Sequence, residues 1–385
     1  MSSISSDEDD DLLGQHIYNY EVISKLGEGS FGMVYKVQHI KSMVEYALKF
    51  SIEDLHGHGG MMQEVEVLEK IKVHDPENKT PILKLIDCFQ HEGKLCMVFP
   101  LMAQSLQKAC SLQRLGLFSQ TLFFTRDQIR RIGYQILQGL NFLHKSGIIH
   151  TDIKADNIML TNSSSTDAIK NDEICIIDMG MARFDHQDKK TKVSNKYYQA
   201  PEIILDFGYD TCSDIWAAGI VLFEMWSGKF LFRNNSDTIR LATMEILLGP
   251  PPVDYVSHNK DFYPEGSIDF TALKDVSSST KPLECYVGLE DGSSDEQFIN
   301  LMRCLWEWNH FNRMSAHSLL EHPFFEGMAA LYGRGYENTQ KDINNNDIIA
   351  PILYAKTMNH ESNLSVMNPS MNEVENLFEH SLHLS

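Results

Sequence analysis

The fold is decided by one octapeptide near the middle of the chain, His150-Thr151-Asp152-Ile153-Lys154-Ala155-Asp156-Asn157. Four further fragments accompany it in a fixed order, two before it and two after it. They are Leu26-Gly27-Glu28-Gly29-Ser30-Phe31-Gly32-Met33-Val34, Ala47-Leu48-Lys49, Asp178-Met179-Gly180 and Ala200-Pro201-Glu202. Each fragment alone is a weak signal. Together they contain what phosphoryl transfer from ATP needs, namely a glycine-rich phosphate cover, a lysine, a base and two metal ligands.

On these fragments the chain resembles the eukaryotic protein kinases, and the resemblance covers residues 18–325. It implies an α+β fold of two lobes. A small lobe of five antiparallel strands and one helix, with the hinge, would occupy residues 18–102, and a larger, mainly α-helical lobe residues 103–325. Residues 1–17 are acidic and predict a disordered tail, and residues 326–385 are rich in asparagine and predict a second, loosely docked tail.

Hydrophobic periodicity predicts the same order of elements. Apolar residues alternate over 18–50, which indicates three strands, and recur at helical spacing over 61–72. Residues 250–296 are rich in Pro, Gly, Ser and Asp and indicate a long loop. The remaining predicted elements are strands over 82–89, 95–99, 158–160 and 174–177 and helices over 126–144 and 215–226.

The glycine-rich segment 26–34 lies between two predicted strands, whereas a dinucleotide-binding turn must open a helix. Glycine allows the backbone to approach phosphates closely, since it has no Cβ. By resemblance, Lys49 contacts the α- and β-phosphates of ATP and pairs with a carboxylate on the following helix. Glu64 is the expected partner, because Glu66 and Glu69 lie on other faces of that helix.

The resemblance also implies the adenine site. Phe99 would be the gatekeeper, and Pro100-Leu101-Met102 the hinge, where the Pro100 carbonyl and the Met102 backbone pair with the adenine edge. Proline lacks an N–H but keeps its carbonyl acceptor. The side chains expected on the two faces of the ring are Val34, Ala47 and Met159.

The octapeptide matches the kinase catalytic loop with one departure. By resemblance, Asp152 accepts the proton of the substrate hydroxyl, Lys154 neutralises charge on the γ-phosphate, and Asn157 and Asp178 hold Mg²⁺. A lysine two residues after the aspartate is typical of Ser/Thr kinases. The expected cofactors are therefore ATP and Mg²⁺.

The departure is Thr151, which stands where many kinases carry an arginine that pairs with a phosphate on the activation segment. Because threonine cannot supply that charge, we predict activity without phosphorylation at the usual site. Met179 replaces the usual phenylalanine after the metal-binding aspartate, a change between two large apolar side chains. Two structural roles are also expected: Glu202 pairs with Arg313, and Asp214 braces the catalytic loop.

The segment Leu241-Ala242-Thr243-Met244-Glu245-Ile246, followed by Leu247-Leu248-Gly249-Pro250, is similar to the signature of the CLK/LAMMER kinases. The His-Thr-Asp triplet at 150–152 is also typical of CLK and SR-protein kinases, and Lys192 stands where DYRK and MAP kinases carry an activating tyrosine. Gln199 departs from the group, which has arginine there, and that arginine helps to shape the pocket just after the target residue. A preference for proline after the target therefore does not carry over.

By resemblance the substrates are Arg/Ser-rich splicing proteins. Asp156 is acidic where kinases often read a basic residue before the target, which fits this expectation. The alternatives are a DYRK- or SR-protein-kinase-type enzyme and a pseudokinase scaffold, although the six expected catalytic groups, Lys49, Glu64, Asp152, Lys154, Asn157 and Asp178, are all present. Tyrosine autophosphorylation, known in some members of the group, stays open.

The amino-acid composition limits the expected ligands and the expected cellular location. The 385 residues contain 33 Lys and Arg against 53 Asp and Glu, a formal charge of −20, which disfavours nucleic-acid binding. None of the seven cysteines is in C-x-x-C spacing, which favours a reduced intracellular protein. No secretory signal, lipid-anchor glycine or membrane-spanning stretch is apparent. We therefore expect an intracellular monomer, nuclear by resemblance, with a cytoplasmic location as the alternative.

Overall fold

The structure, a computed structural model, describes residues 12–29, 32–51, 59–114, 124–161, 172–187, 193–270, 273, 276, 279–287 and 293–333. These residues form a β-rich small lobe and a helical large lobe, as the sequence predicts. In this part of the chain no helix combines the length and the apolar character needed to cross a lipid bilayer.

The small lobe is an antiparallel sheet of the strands β1 (His16–Ile17), β2 (Tyr20–Gly29), β3 (Gly32–His39), β4 (Glu45–Ser51), β5 (Asp87–His91) and β6 (Lys94–Pro100). They lie in the order β1-β2-β3-β4-β6-β5, and one helix, α1 (Gly59–His74), packs against the sheet. Alternate residues of a strand face opposite sides of the sheet. On β6, Met97 and Phe99 therefore pack with the α1 side chains, whereas Cys96 and Val98 join a separate cluster on the outer face.

This sheet has six strands where the sequence predicts five. The added strand is β1, which pairs with Tyr20 and Glu21 of β2. Ile17 is 1% exposed and packs in the outer cluster of the sheet, so residues 12–17 belong to the small lobe and not to the expected acidic tail. A two-residue strand is too short to produce a periodic signal, which explains the wrong count. Residues 1–11 lie outside the described residues.

The large lobe is built around two helices, α3 (Arg126–Lys145) and α5 (Thr211–Ser227). A capping box between Thr125 and Gln128 begins α3, and a second one between Asp210 and Ser213 begins α5, which ends at Gly228 in the left-handed region. The helices are α2 (Leu106–Arg114), α3 (Arg126–Lys145), α4 (Pro201–Ile204), α5 (Thr211–Ser227), α6 (Asp237–Leu248), α7 (Val253–His258), α8 (Ser293–Leu305), α9 (Ala316–Leu319) and α10 (Met328–Tyr332). Two of them differ from expectation: α7 and the first turn of α8 fall inside the predicted loop 250–296.

Two small two-stranded sheets carry the catalytic segments of the large lobe. Strand β7 (Ile148–Ile149) pairs with β10 (Arg183–Phe184), and β8 (Ile158–Leu160) pairs with β9 (Ile174–Ile176). The first sheet places the residues after 149 next to the residues before 183. The second brings the end of the catalytic loop beside residue 177, so both metal-ligand candidates lie at one edge of the cleft.

The described chain continues past the expected end of the large lobe at residue 325. Helix α10 packs on α3, where the Tyr134 hydroxyl donates to the Gly333 carbonyl at 2.9 Å and Gln138 Nε2 donates to the Tyr332 carbonyl at 2.9 Å. Met328 is buried. The start of the predicted C-terminal tail is thus a docked helix, and residues 334–385 lie outside the described residues.

Candidate active site

Three charged side chains from three distant parts of the sequence meet between the lobes. Lys49 Nζ on β4 lies 2.7 and 2.8 Å from the two carboxylate oxygens of Glu64 on α1, and 3.3 Å from Asp178 Oδ1 after β9. Glu64 is 2% exposed. The structure therefore selects Glu64, rather than Glu66 or Glu69, as the partner of the lysine.

Burial and charge compete in this cluster. Burial alone would lower the pKa of Lys49, but Glu64 and Asp178 outweigh it and raise that pKa. Burial likewise opposes ionisation of Asp178, and Lys49 together with His150 still lowers the pKa of its carboxyl. Burial raises the pKa of Glu64, against the opposing pull of the Lys49 ammonium. Lys49 and Asp178 are thus held in their charged forms, which suits a polyanionic ligand and a metal ion.

The catalytic loop directs three polar side chains at one point. Lys154 Nζ lies 2.5 Å from Asp152 Oδ2, and Asn157 Nδ2 donates to the same oxygen at 3.0 Å and to the Asp152 carbonyl at 2.9 Å. Asn157 therefore uses its nitrogen within the loop and keeps its amide oxygen, Oδ1, as a ligand atom. A carboxylate on Asp178 and an amide oxygen on Asn157 are the hard donors that Mg²⁺ prefers, so the residues present fit that ion.

Asp214 of α5 braces this loop, as expected. Its carboxylate accepts the backbone N–H groups of His150 and Thr151 at 2.9 Å each and lies 2.9 Å from His144 Nε2. Thr151 has φ +63°, a left-handed conformation that non-glycine residues seldom adopt. The two hydrogen bonds to Asp214 stabilise this strained turn immediately before Asp152.

His150 joins the catalytic loop to the residue before Asp178. Its Nδ1 accepts the Asp152 N–H at 3.2 Å, which leaves Nε2 to donate to the Ile177 carbonyl at 3.1 Å. One buried imidazole thereby fixes the spacing between the base candidate and the metal-ligand candidate.

The structure brings the expected ATP-site residues together along β3, β4 and β6. Val34 pairs with Lys49 across β3 and β4, Ala47 pairs with Phe99 across β4 and β6, and Met159 forms a bridge with Ser105 just past the hinge. Ser30 and Phe31 of the glycine-rich segment lie outside the described residues. The described members of the predicted ATP site are Leu26, Gly27, Glu28, Gly29, Gly32, Met33, Val34, Ala47, Lys49, Glu64, Phe99, Pro100, Leu101, Met102 and Met159.

Two glycines of the glycine-rich segment, Gly27 and Gly32, lie in different surroundings. A Cβ on Gly32 would lie 2.4 Å from the Phe50 carbonyl oxygen, so a side chain there would push β3 away from β4. A Cβ on Gly27 would meet nothing within 4 Å. The open space at Gly27 suits a segment that covers a ligand, whereas Gly32 serves strand packing.

The activation segment, residues 178–202, is anchored at its far end by the expected buried ion pair. Arg313 donates from Nη1 and Nη2 to the two oxygens of Glu202 at 2.7 and 2.9 Å. The Ser213 hydroxyl also donates to Glu202, at 2.9 Å. Burial would raise the pKa of Glu202, but Arg313 and these hydrogen bonds lower it instead.

Beyond Asp178, the start of the activation segment is held through its backbone carbonyls, and the Arg183 guanidinium donates to those of Met181 and Ala182 at 3.1 and 3.0 Å. Two neutral side chains donate to the same carbonyls. The Thr151 hydroxyl donates to the Met181 carbonyl at 2.7 Å. Gln63, which directly precedes Glu64, donates to the Ala182 carbonyl at 2.9 Å and to Gln187 Oε1 at 3.2 Å. These contacts join helix α1 and the catalytic loop to the segment. Sequence reasoning missed Gln63, since no motif marks a residue whose role depends on a long-range backbone contact.

Gln199 holds the other end of the described segment. Its Nε2 donates to the carbonyls of Val193 at 3.0 Å and Ser194 at 3.4 Å, and its Oε1 accepts from Arg240 at 3.3 Å. Arg240, on α6, is 1% exposed and was not expected from the sequence. Lys192 lies outside the described residues.

Comparisons with known proteins agree with this geometry. The model of the protein kinase domain family matches residues 20–325. The chain is 30% identical over 358 residues to dual specificity protein kinase CLK2 of Homo sapiens, a match that covers 84% of this chain and 68% of that protein. It is 31% identical over 314 residues to the probable serine/threonine-protein kinase dyrk2 of Dictyostelium discoideum, covering 80% of this chain and 33% of that protein.

A structural relative supports the same fold. A crystal structure of a kinase domain matches with a TM-score of 0.70 and 26% sequence identity, covering 82% of this chain and 100% of the other. The helical large lobe and the sheet-containing small lobe are therefore shared with a known kinase domain.

Proposed function

Because the chain belongs to the protein kinase domain family and is a protein kinase of the CLK-like type, we propose that it phosphorylates Ser and Thr hydroxyls of Arg/Ser-rich proteins. The proposed reaction uses Mg²⁺ and ATP. It needs no prior phosphorylation of the activation segment. One observation carries the proposal. Lys49 contacts both Glu64 and the metal-ligand aspartate, Asp178, while Thr151 occupies the position of the usual phosphate-binding arginine.

The residues of the cleft divide the chemistry among themselves. Two donors, Lys154 and Asn157, engage Asp152 Oδ2, and we assign the second oxygen, Oδ1, to the substrate hydroxyl, whose proton it accepts. We also assign Lys154 to neutralise the negative charge that increases on the transferred phosphoryl group. Lys49, oriented by Glu64, neutralises the phosphates upstream of the transferred one.

Asn157 Oδ1 and the Asp178 carboxylate would hold Mg²⁺. When bound, the ion neutralises phosphate charge and fixes the phosphate orientation. Contacts within the protein already fix the conformation of Asp178, which has φ +66°. Its Oδ1 lies 3.3 Å from Lys49 Nζ and accepts the Gly180 N–H at 3.4 Å. The aspartate is therefore held in place by the protein itself.

Independence from activation-segment phosphorylation is supported by apolar packing. Val193 packs with Ile149, Ile203 and Tyr209 in one buried cluster beside Thr151. A phosphate-dependent segment needs a cation in this region to pair with the phosphate. Here, the Thr151 hydroxyl and an apolar cluster occupy the place of the usual arginine, and the nearby Arg183 guanidinium is already bonded to the Met181 and Ala182 carbonyls. The described part of the segment is therefore held by contacts that need no modification.

The proposed preference for basic substrates depends on Asp156 and on the overall charge. Asp156 is exposed on the short helical turn Ala155–Asn157, which follows Asp152 and Lys154 in the chain. The chain as a whole carries a formal charge of −20, which steers basic peptides toward it. We therefore propose that Asp156 binds an arginine near the target residue.

Initial rates on three peptides test this function. They share one central serine and differ in flanking Arg, Lys or Glu residues. The proposal predicts the highest kcat/KM for the Arg peptide and a smaller Arg-over-Glu ratio in Asp156→Asn, while the exposed control Asp254→Asn on α7 keeps the wild-type ratio. Equal rates on the three peptides would exclude the proposed substrate class.

A DYRK-type substrate preference is the second candidate, favoured by the 31% identity to dyrk2. The same three peptides distinguish the two candidate functions, because the DYRK-type hypothesis predicts that Asp156→Asn leaves the Arg preference unchanged. Tyrosine autophosphorylation, a monomeric state and a nuclear location stay predictions from the family resemblance.

A further inference from the structure

A fully buried arginine lies beneath the activation segment, outside the catalytic groups described above. Arg240 on α6 donates from Nη1 to the Lys196 carbonyl and from Nη2 to Asp237 Oδ1 and Gln199 Oε1. Its side chain is 1% exposed, whereas that of Asp237 is 34% exposed. A buried guanidinium is costly to desolvate, and here its hydrogen bonds to Lys196 and Gln199 attach it to the activation segment.

The contacts of Arg240 continue through Gln199 into residues 193–199, here named the target-site loop. Gln199 accepts from Arg240 with its oxygen and donates with its nitrogen to the Val193 and Ser194 carbonyls. If this amide flipped, its NH₂ group would face the guanidinium and its oxygen would face two carbonyls. Arg240 therefore sets the orientation of the Gln199 amide.

The Gln199 amide in turn stabilises a strained backbone. Ser194 has φ +79°, a left-handed conformation that is strained for a non-glycine residue. Its carbonyl and that of Val193 both point at Gln199 Nε2. Together with the Lys196 carbonyl bound to Arg240, three backbone acceptors of the target-site loop are thus directed into the protein.

The loop lies beside the base. Val193 and Ser194 line the same small cavity as Thr151, the residue before Asp152. Val193 also shares a buried cluster with Ile149, two residues before Thr151. A peptide whose hydroxyl reaches Asp152 must therefore run along this loop on one side of its target residue.

We propose that Arg240 is a positioning residue for the peptide substrate: through Gln199 it fixes the target-site loop and thereby the shape of the surface that receives the residue after the target. The inference rests on the proposed function, because it requires a protein or peptide substrate. Arg240 touches neither the nucleotide site nor the reacting atoms; it acts through Gln199 and the loop backbone.

The test combines peptide profiling with two single variants and an exchange of side chains. Arg240→Met removes the guanidinium with little change in volume. Gln199→Met removes the amide that connects Arg240 to the target-site loop. Gln199→Arg with Arg240→Gln restores one guanidinium and one amide in exchanged positions. The control Arg303→Met makes the same substitution at a 55% exposed arginine on α8.

Each variant is assayed on peptides that differ only at the position after the target, and on a second set that differs only before it. Arg240→Met and Gln199→Met should each raise the peptide KM about tenfold, the factor expected when one charge-assisted hydrogen bond is lost. The ranking of peptides should flatten for the first set only, with the KM for ATP unchanged. The exchanged pair should recover most of the wild-type ranking, and Arg303→Met should leave it intact.

Two results would overturn the proposal. One is an unchanged ranking in folded Arg240→Met or Gln199→Met, with melting temperature as the check of folding. The other is an equal loss of kcat on both peptide sets together with a lowered melting temperature, which would indicate a purely structural arginine. Should Arg240→Met fail to fold, Gln199→Met decides alone. A wild-type protein that phosphorylates no peptide would instead contradict the proposed function.

Discussion

The nucleotide cleft and the activation segment are held together by different chemistry. In the cleft, Lys49, Glu64 and Asp178 are joined by opposite charges in hydrogen-bond contact. Along the described part of the activation segment, the Thr151 hydroxyl, two glutamine amides and an apolar cluster hold the backbone. The guanidinium groups of Arg183 and Arg240 donate to its backbone carbonyls, and the Glu202–Arg313 ion pair anchors its far end. Opposite charges thus pair where a charged ligand must bind, whereas hydrogen bonds to the backbone and apolar packing hold the segment that in other kinases relies on a phosphate.

This difference bears on regulation. A cationic site that pairs with a phosphate gains or loses its contacts as the phosphate is added or removed. The Thr151 hydroxyl and the apolar cluster, in contrast, form their contacts when the chain folds. The comparison therefore predicts that variants in the cleft abolish chemistry, and that variants along the segment reduce stability or substrate selection by smaller steps.

The largest effect is expected in the cleft. Asp152→Asn keeps the shape of the side chain but removes the proton acceptor, so kcat should fall by about 10²–10⁴-fold. ATP binding should be preserved, because Lys49, Glu64 and Asp178 are untouched. Steady-state phosphorylation of an Arg/Ser peptide and nucleotide titration measure both, with Asp254→Asn as the exposed control. A kcat within a few-fold of wild type would exclude Asp152 as the base.

The next effect is on stability at the charged end of the segment. Arg313→Met leaves Glu202 as an unpaired, fully buried carboxylate, and breaking such a pair typically costs about 3–5 kcal/mol. Urea unfolding should show this loss, whereas Arg303→Met at an exposed pair should change the free energy of unfolding by less than about 1 kcal/mol. Similar losses in the two variants would contradict the assigned anchoring role.

The same pair predicts a pH dependence. The pKa of Glu202 is held below its ordinary value of 4.5, so the ionised carboxylate contributes stability that is fully present above pH 4.5. This contribution is lost as the pH falls through the lowered, folded-state pKa. The difference in unfolding free energy between wild type and Glu202→Gln should therefore shrink on acidification. A difference that stays constant from neutral pH downward would contradict the shift.

The smallest effect is expected at the neutral end. Thr151→Val removes the hydroxyl that donates to Met181 but keeps the side-chain volume, so stability should fall by about 1 kcal/mol. The peptide kcat should fall only a few-fold, because Asp214 still holds the turn. Thermal unfolding and peptide assays check this. A loss of kcat as large as in Asp152→Asn would move Thr151 into the chemical step and break the comparison between the two regions.

The sequence predicted the cleft better than the segment, for a physical reason. Lys49, Asp152, Asn157 and Asp178 belong to short fragments whose local geometry is encoded by neighbouring residues, and Glu64 follows from helical periodicity. The two lobes and most helices follow from the same patterns.

Other features depend on contacts between distant residues and leave no local signal. Strand β1 is two residues long and exists because Ile17 is buried against the sheet. Helix α10 exists where Tyr134 and Gln138 bind its last carbonyls. Arg240 sits in a helix that resembles a family signature, yet its importance comes from Gln199, a residue that departs from the family pattern.

The most direct measurement is the initial rate of the phosphatase-treated protein, shown by mass spectrometry to carry no phosphate, on an Arg/Ser peptide with Mg²⁺ and ATP. The account predicts full turnover from the first time point, no lag, and no activity above background in Asp152→Asn. A dephosphorylated protein that is inactive, or that becomes active only after a phosphate appears on residues 178–202, would contradict it.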